Sequence, residues 1–199
     1  LPINSSNEVV EKIKNKITSR TKIIFISHIT SPTALIFPVK ELCDYARDNN
    51  IITIIDGAHT PGHIKIDLEY IKPDYYIGTC HKWLCTPKGV SFLYVSKEYQ
   101  STLDPLVIGW GWRDQNINHS EFINNHQWWG TRDMSAYLCI PKAIEVYNSK
   151  EFEVLRTNCI NKIPHIRNQC NKLLNSYSLC PDNMLGQMTS IILPIKNEN

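Results

Sequence analysis

The lysine at position 82 lies in a stretch that could carry unusual chemistry. Residues 75–87 read Y-Y-I-G-T-C-H-K-W-L-C-T-P, so Lys82 is followed directly by Trp83 and Leu84. An ammonium is costly to bury among apolar and aromatic neighbours, and burial favours the neutral amine. A neutral lysine amine can attack a carbonyl carbon and form a Schiff base. The alternative is a lysine whose stem packs on Trp83 while its ammonium stays in water.

An aspartate closes the strand-like run that precedes this lysine. Residues 51–56 read I-I-T-I-I-D, which is typical of a strand buried on both faces of a parallel sheet. Asp56 ends that run, and open α/β sheets bind their ligands at the carboxyl ends of their strands. A Schiff-base lysine with an aspartate partner for a pyridinium nitrogen is the pair that pyridoxal phosphate requires. The alternative for Asp56 is a turn or helix N-cap residue.

The elements around these two residues predict an α/β fold. Apolar periodicity predicts helices over 7–17, 38–49 and 68–71, and strands over 22–27, 51–56, 75–77 and 90–95. A strand, a helix and a strand within about thirty residues form a βαβ unit, and only the last strand is reached too quickly for a crossover helix. We therefore expect a mostly parallel sheet with an antiparallel last strand. The strand ends near His28, at Asp56 and at 79–82 then meet at one edge of the sheet.

The second half of the chain is less regular. Residues 101–129 show poor periodicity and several tryptophans, which suits either a binding region or a subunit interface. A helix is predicted over 135–148 with a kink or restart at Pro141, and helical segments over 152–174 interrupted by Pro164. A strand is predicted over 190–195.

The motifs around Asp56 and Lys82 resemble those of a known family. D-G-A-H-T-P-G at 56–62 and T-C-H-K-W-L-C-T-P-K-G at 79–89 are similar to the class V aminotransferases, which are fold-type-I pyridoxal-phosphate enzymes. Within that family the chain looks most like the isopenicillin N epimerase branch. The resemblance implies the large domain of that fold, with helices on both faces of the sheet. It also implies a domain division into 1–147, part of the cofactor-binding domain, and 148–199, the start of a truncated small domain.

The resemblance also implies roles for individual residues. Lys82 would form the Schiff base with pyridoxal 5'-phosphate, Asp56 would contact the pyridine nitrogen, and His59 the phenolic oxygen. Thr79 and His81 would hold the cofactor phosphate. Ser31 stands where relatives often have an asparagine near the phenolic oxygen. Gly130 and Thr131 match a W-x-G-T motif that reaches the cofactor phosphate of the partner subunit, which implies a homodimer.

The reaction stays open at the level of sequence. Removal of the Cα proton of an amino-acid substrate can lead to epimerisation, to transamination, or to loss of a substituent as in a cysteine desulfurase or C-S lyase. A truncated, non-catalytic homologue is a further alternative, because both ends of the chain look cut. His59 and His63 are four residues apart, a spacing that can bind zinc on a helix, but Pro61 and Gly62 lie between them, so no metal is predicted.

Composition limits the remaining classes. With 199 residues, a net charge of +2, 42% hydrophobic and 20% charged residues, the chain is ordinary for a globular protein, and no basic stripe points to nucleic acid. No apolar run is long enough to span a membrane. The seven cysteines are odd in number and scattered, and we expect free thiols in a cytoplasmic protein. Cys80 and Cys85, which flank Lys82, are expected to be buried.

Overall fold

The fold is built on one four-stranded sheet. The computed structural model describes residues 1–114 and 119–194. Its strands are β1 (Ile23–Ser27), β2 (Ile52–Gly57), β3 (Tyr75–Thr79) and β4 (Ser91–Val95), in the spatial order β1-β2-β3-β4. The first three are parallel and β4 is antiparallel to β3. The predicted α/β class, the mostly parallel sheet and the direction of the last strand are confirmed.

The two faces of the sheet differ sharply. On one face, Ile55 and Tyr76 are fully buried against Val39 and Cys43 of helix α2 (Val39–Asp48). Side chains alternate along a strand, so the neighbouring residues point the other way. On that opposite face Ile23 is 51% exposed and Phe25 is 69% exposed. We call these the covered face and the open face.

Two further helices precede the strands that carry the motifs. Helix α1 (Ser6–Lys14) begins at the N-cap Ser5, whose side chain accepts a hydrogen bond from the Glu8 amide, and it buries Val9 and Val10. The short helix α3 (Leu68–Ile71) is capped in the same way by Asp67. Such caps satisfy amide groups that the first helical turn leaves unpaired.

The remainder of the chain is mostly helical. It contains a 3₁₀ segment Lys97–Thr102, helices α4 (Glu121–Gln127), α5 (Ser135–Leu138), α6 (Ile140–Tyr147) and α7 (Lys150–Leu174), and a 3₁₀ turn Asp182–Met184. Pro141 lies in the first turn of α6, where a missing amide hydrogen costs nothing. The predicted restart at this proline is confirmed.

Two predictions for the last third of the chain are wrong. Helix α7 runs through Pro164 without interruption. Contacts after the proline stabilise the helix. Arg167 is buried, donates a hydrogen bond to the Cys180 carbonyl at 2.8 Å and forms an ion pair with Asp182. Residues 190–194 do not form a strand, because they pair with none of the strands in the described part of the chain, and Ile195 lies outside the described residues.

Residues 179–185 pack back onto the first part of the chain. Leu179, Met184 and Leu185 form a buried cluster with Val9 and Leu35. The predicted boundary between 147 and 148 falls between α6 and α7, and the division into two domains stays a prediction. Across residues 1–114 and 119–194, no helix is both long and apolar enough to cross a bilayer.

Candidate active site

Asp56 lies on the open face at the carboxyl edge of the sheet. It is in register with Ser27 of β1 and Ile77 of β3, so all three side chains share that face. Thr79 follows two residues after Ile77 and lies on the same face. The Oδ1 atom of Asp56 accepts a hydrogen bond of 2.9 Å from the Ala58 amide. Its Oδ2 accepts none from the residues that the structure describes, and is therefore available to a ligand.

Lys82 is in direct contact with His59. The Nζ atom of Lys82 lies 2.9 Å from Nε2 of His59, across the turn that follows β2 and the turn that follows β3. On the other side of the same imidazole, the indole nitrogen of Trp83 donates to Nδ1 at 3.4 Å. The sequence left open whether Lys82 is buried or exposed, and the structure shows it exposed, with Trp83 turned toward the two histidines.

The surroundings of His59 lower its pKa, which favours the neutral imidazole. Burial is the largest cause that lowers the pKa of His59, followed by the charge of the neighbouring Lys82, whereas the Asp56 carboxylate opposes both. A neutral imidazole can donate from one nitrogen and accept at the other.

A buried chain of hydrogen bonds supports the turn that carries Asp56 and His59. On the covered face, Nδ1 of His28 lies 2.9 Å from the Tyr76 hydroxyl, which lies 2.6 Å from Oγ1 of Thr60. Thr60 in turn donates to the Gly57 carbonyl at 2.7 Å. A Cβ atom at Gly57 would come within 2.2 Å of the Tyr76 ring, so only glycine allows this approach.

The residues at the edge fit a phosphorylated cofactor. His81 has a buried Nδ1 atom without a hydrogen-bond partner in the described residues. An unpaired buried nitrogen is costly unless a ligand satisfies it. A threonine hydroxyl and a histidine are suitable donors for a phosphate, and Asp56 is a suitable partner for a protonated ring nitrogen.

Three of the predicted site residues make no hydrogen bond with this group in the described part of the chain. Ser31 is exposed in the loop after β1, and Thr131 is exposed before α5. Gly130 has a φ of +120°, and a Cβ there would meet no atom within 4 Å. Within the described ranges, no hydrogen bond joins these residues to Asp56 or Lys82. Their roles stay predictions.

Of the two cysteines that flank Lys82, one lies as expected and one does not, and His63 makes contacts that the sequence did not predict. Cys80 is buried as expected, whereas Cys85 is exposed beside a cavity of about 430 Å³ that Cys139 also lines. In the described residues there is no group of three metal-binding side chains. Nε2 of His63 accepts a 2.6 Å hydrogen bond from the Gln187 amide, and Nδ1 lies 3.2 Å from the His59 carbonyl. Both nitrogens of His63 are therefore engaged.

Sequence reasoning missed Tyr76, His63 and Trp83 as neighbours of the site. Tyr76 is recognisable only as one of two tyrosines in a strand, and His63 only by its spacing from His59. Trp83 was interpreted as a packing partner of Lys82. The contact of His63 with Gln187 joins residues 124 positions apart, which no local pattern reveals.

Comparison with solved structures places the fold. A cysteine desulfurase from Thermococcus onnurineus NA1 superposes on 96% of this chain and 47% of its own, with a TM-score of 0.75 and 18% sequence identity. The likeness shows a shared α/β fold.

The sequence comparisons identify the family of the chain. The model of the family "Aminotransferase class-V" matches residues 1–192, and the chain belongs to that family. An isopenicillin N epimerase from Amycolatopsis lactamdurans is 37% identical over 153 residues, covering 72% of this chain and 38% of that protein. An L-cysteine desulfhydrase from Arabidopsis thaliana is 32% identical over 162 residues, covering 75% of this chain and 34% of that protein. The chain thus spans between 34% and 38% of the length of these two relatives.

Proposed function

We propose that this protein is a pyridoxal 5'-phosphate-dependent enzyme that acts at Cα of an amino-acid substrate, most like an epimerase of the isopenicillin N type. In this proposal Lys82 forms the Schiff base with the cofactor. The observation that carries it is the 2.9 Å contact between Lys82 Nζ and His59 Nε2, at the sheet edge where Asp56 presents a carboxylate oxygen. Family membership supports the same cofactor.

The chain's own residues would hold the cofactor by complementary chemistry. Asp56 would bind the protonated ring nitrogen, His59 and Ser31 the phenolic oxygen, and Thr79 and His81 the phosphate. When bound, the cofactor supplies an electron-accepting ring that stabilises negative charge at the substrate Cα. The unpartnered Nδ1 of His81 supports a phosphate contact, because the atom is buried and needs a partner.

Lys82 would also move the proton. With its nitrogen free beside the substrate, Lys82 would act as a general base for the Cα hydrogen. Epimerisation then requires that a proton return to the opposite face of Cα. The exposed position of Lys82 leaves room for a substrate beside it.

We extend the proposal to assembly and compartment. In a homodimer, Gly130 and Thr131 would reach the cofactor phosphate of the partner subunit. The exposure of Thr131 and the open space around Gly130 support this placement. Seven free thiols support a reducing, cytoplasmic compartment.

The test of the cofactor is spectroscopic and chemical. The protein with pyridoxal 5'-phosphate is expected to gain a visible absorption band, and borohydride reduction should fix the cofactor on the peptide that carries Lys82. Lys82→Gln should abolish the band and lower turnover by about 10³-fold or more, because it removes both the attachment point and the base. Lys88→Gln, an exposed lysine of the same loop, is the matched control and should change neither. Label on another lysine, or none, would contradict the proposal and favour a non-catalytic homologue.

A second candidate function is C-S lyase activity on L-cysteine, favoured by the 32% identity to an L-cysteine desulfhydrase. The two are separated by incubating the loaded enzyme with amino acids in D₂O. An epimerase yields the inverted, Cα-deuterated amino acid, which chiral chromatography and mass spectrometry detect. A lyase releases sulfide from L-cysteine instead.

A further inference from the structure

Arg132 directly follows Gly130 and Thr131, yet it has no role in the proposed function. Its guanidinium lies over two aromatic rings, with Cζ 4.7 Å from the centre of the Trp129 ring and 4.8 Å from that of the Tyr137 ring. We propose that Arg132 is an anion-binding residue whose outer N–H groups hold a carboxylate or a phosphate. The place of this anion in the active site rests on the proposed function, whereas the anion site itself does not.

The two rings hold the guanidinium but leave its hydrogen-bond donors largely unused. The face of an aromatic ring attracts a cation as a whole, and it offers no lone pair to an N–H group. In the described residues, Arg113 and Arg156 each lie over a single ring. Arg132 is therefore more restricted in position than either of them, while it keeps donors for a ligand.

The rest of the chain satisfies few of the Arg132 donors. Its Nη2 atom donates to the Gln127 carbonyl at 3.5 Å, which is long for a hydrogen bond. The buried Nε atom has no acceptor among the described residues. An external anion would therefore meet the two outer nitrogens, Nη1 and Nη2.

Arg132 also lacks an acidic partner. It forms no ion pair with the residues that the structure describes. Asp133, the next residue, instead accepts hydrogen bonds from the amide and the hydroxyl of Ser135, at 2.8 and 2.5 Å. The guanidinium is thus a fixed positive charge that no carboxylate of this part of the chain neutralises.

The shape of a guanidinium selects the class of anion. Its planar fork matches the paired oxygens of a carboxylate or a phosphate, and a fork already held in place loses less freedom on binding. In the proposed homodimer two such groups lie near Thr131, namely the cofactor phosphate of the partner subunit and the carboxylate of its amino-acid substrate. Gly130, with a φ of +120°, turns the chain just before Thr131 and Arg132, so one turn presents both.

The first test measures anion binding by the unmodified protein without cofactor. Phenylglyoxal modifies guanidinium groups, and peptide mass spectrometry gives the rate at each arginine. Inorganic phosphate is expected to slow the modification of Arg132 severalfold and saturably, relative to chloride at the same ionic strength. Arg113, which is exposed and lies over the single ring of Trp112, is the internal standard and should react at an unchanged rate. Equal rates in phosphate and chloride, or equal protection of both arginines, would overturn the proposal.

The second test identifies the source of the anion with Arg132→Gln, which removes the charge. If the anion is the cofactor phosphate, the Kd of pyridoxal 5'-phosphate should rise by about 10-fold or more, as for a lost charge-assisted hydrogen bond. The Kd of pyridoxal, which lacks the phosphate, should then stay unchanged. If the anion is the substrate carboxylate, KM for the amino acid should rise by a similar factor while kcat and the Kd of the cofactor stay the same.

Matched variants separate anion binding from support of the fold. Arg132→Lys keeps the charge but not the paired donors, and it should recover part of the lost affinity. Arg113→Gln removes an exposed guanidinium from another tryptophan and should change none of these constants. A folded Arg132→Gln protein with unchanged cofactor Kd and unchanged KM would overturn the proposal. Protein that fails to bind the cofactor but shows a phosphate-protected Arg132 would contradict the proposed function and support this inference.

Discussion

The covered face of the sheet is packed in the core, whereas the open face carries the candidate site. Ile55 and Tyr76 on the covered face are fully buried, and that face contains a polar chain whose hydrogen bonds are satisfied. Asp56 and Thr79 lie on the open face, where Phe25 remains 69% exposed. Within one strand, Ile55 therefore packs in the core, whereas the next residue, Asp56, belongs to the candidate site.

The difference teaches how a site can be rigid and accessible at once. Asp56 is anchored from behind, because the Gly57 carbonyl, Thr60 and Tyr76 are tied together under its turn. Its own carboxylate stays within reach of a ligand. Buried networks of this kind hold an element in one arrangement when every member has a partner.

The largest predicted effect compares two isoleucines on opposite faces. Ile55→Ala should lower the free energy of unfolding by about 2–5 kcal/mol, because it leaves a cavity under α2. Ile23→Ala, at a side chain that is 51% exposed, should cost less than about 1 kcal/mol. Denaturant titration measures both. Equal costs would break the comparison and indicate that the open face is packed against another surface in solution.

A second prediction concerns the pH dependence of stability. Burial lowers the pKa of His28 to about 4 and that of His63 to about 4, from an ordinary value of 6.5. Between these values the unfolded chain binds more protons than the folded one. The contribution of these two histidines to the free energy of unfolding is therefore fully present above pH 6.5. It is lost as the pH falls toward 4, by about 1.4 kcal/mol per pH unit for each histidine.

Variants attribute that slope to the buried histidines. The glutamine of His28→Gln cannot titrate, so this variant should remove about half of the slope between pH 6.5 and 4, and His63 should keep the rest. His165→Gln, at an exposed histidine of α7, should leave the slope as it is. Unfolding midpoints measured across this pH range decide the matter, and a slope that His28→Gln does not reduce would contradict the buried, neutral His28.

Much of the sheet could be predicted because its signals are local. The β-branched runs before Asp56 and after Lys22 predicted strands, the short Pro87–Gly89 turn predicted the antiparallel β4, and a carboxyl edge with Asp56 and Lys82 followed from parallel strands. The continuity of α7 through Pro164 could not be predicted, because contacts of Arg167 with Cys180 and Asp182 outweigh the lost backbone hydrogen bond.

The candidate site was predictable in its residue types but not in its hydrogen bonds. The motif identified Lys82 and His59, and it left open whether Lys82 is buried or exposed. The structure exposes Lys82 and places its nitrogen 2.9 Å from Nε2 of His59, a contact that the motif did not predict. The contacts of Trp83 with His59 and of Gln187 with His63 likewise join segments that are far apart in the chain.

The smallest predicted effect compares two adjacent tyrosines of β3. Tyr76→Phe removes the hydroxyl between His28 and Thr60, and it should cost about 1–3 kcal/mol because a buried imidazole N–H loses its acceptor. Tyr75→Phe, one residue earlier and on the open face, should cost less than about 0.5 kcal/mol, since its ring contact with Tyr99 persists. Denaturant titrations at neutral pH give both values. If the two variants were equally stable, the hydroxyl of Tyr76 would not be a necessary link in the chain that anchors the Asp56 turn, and the support from the covered face would reduce to packing alone.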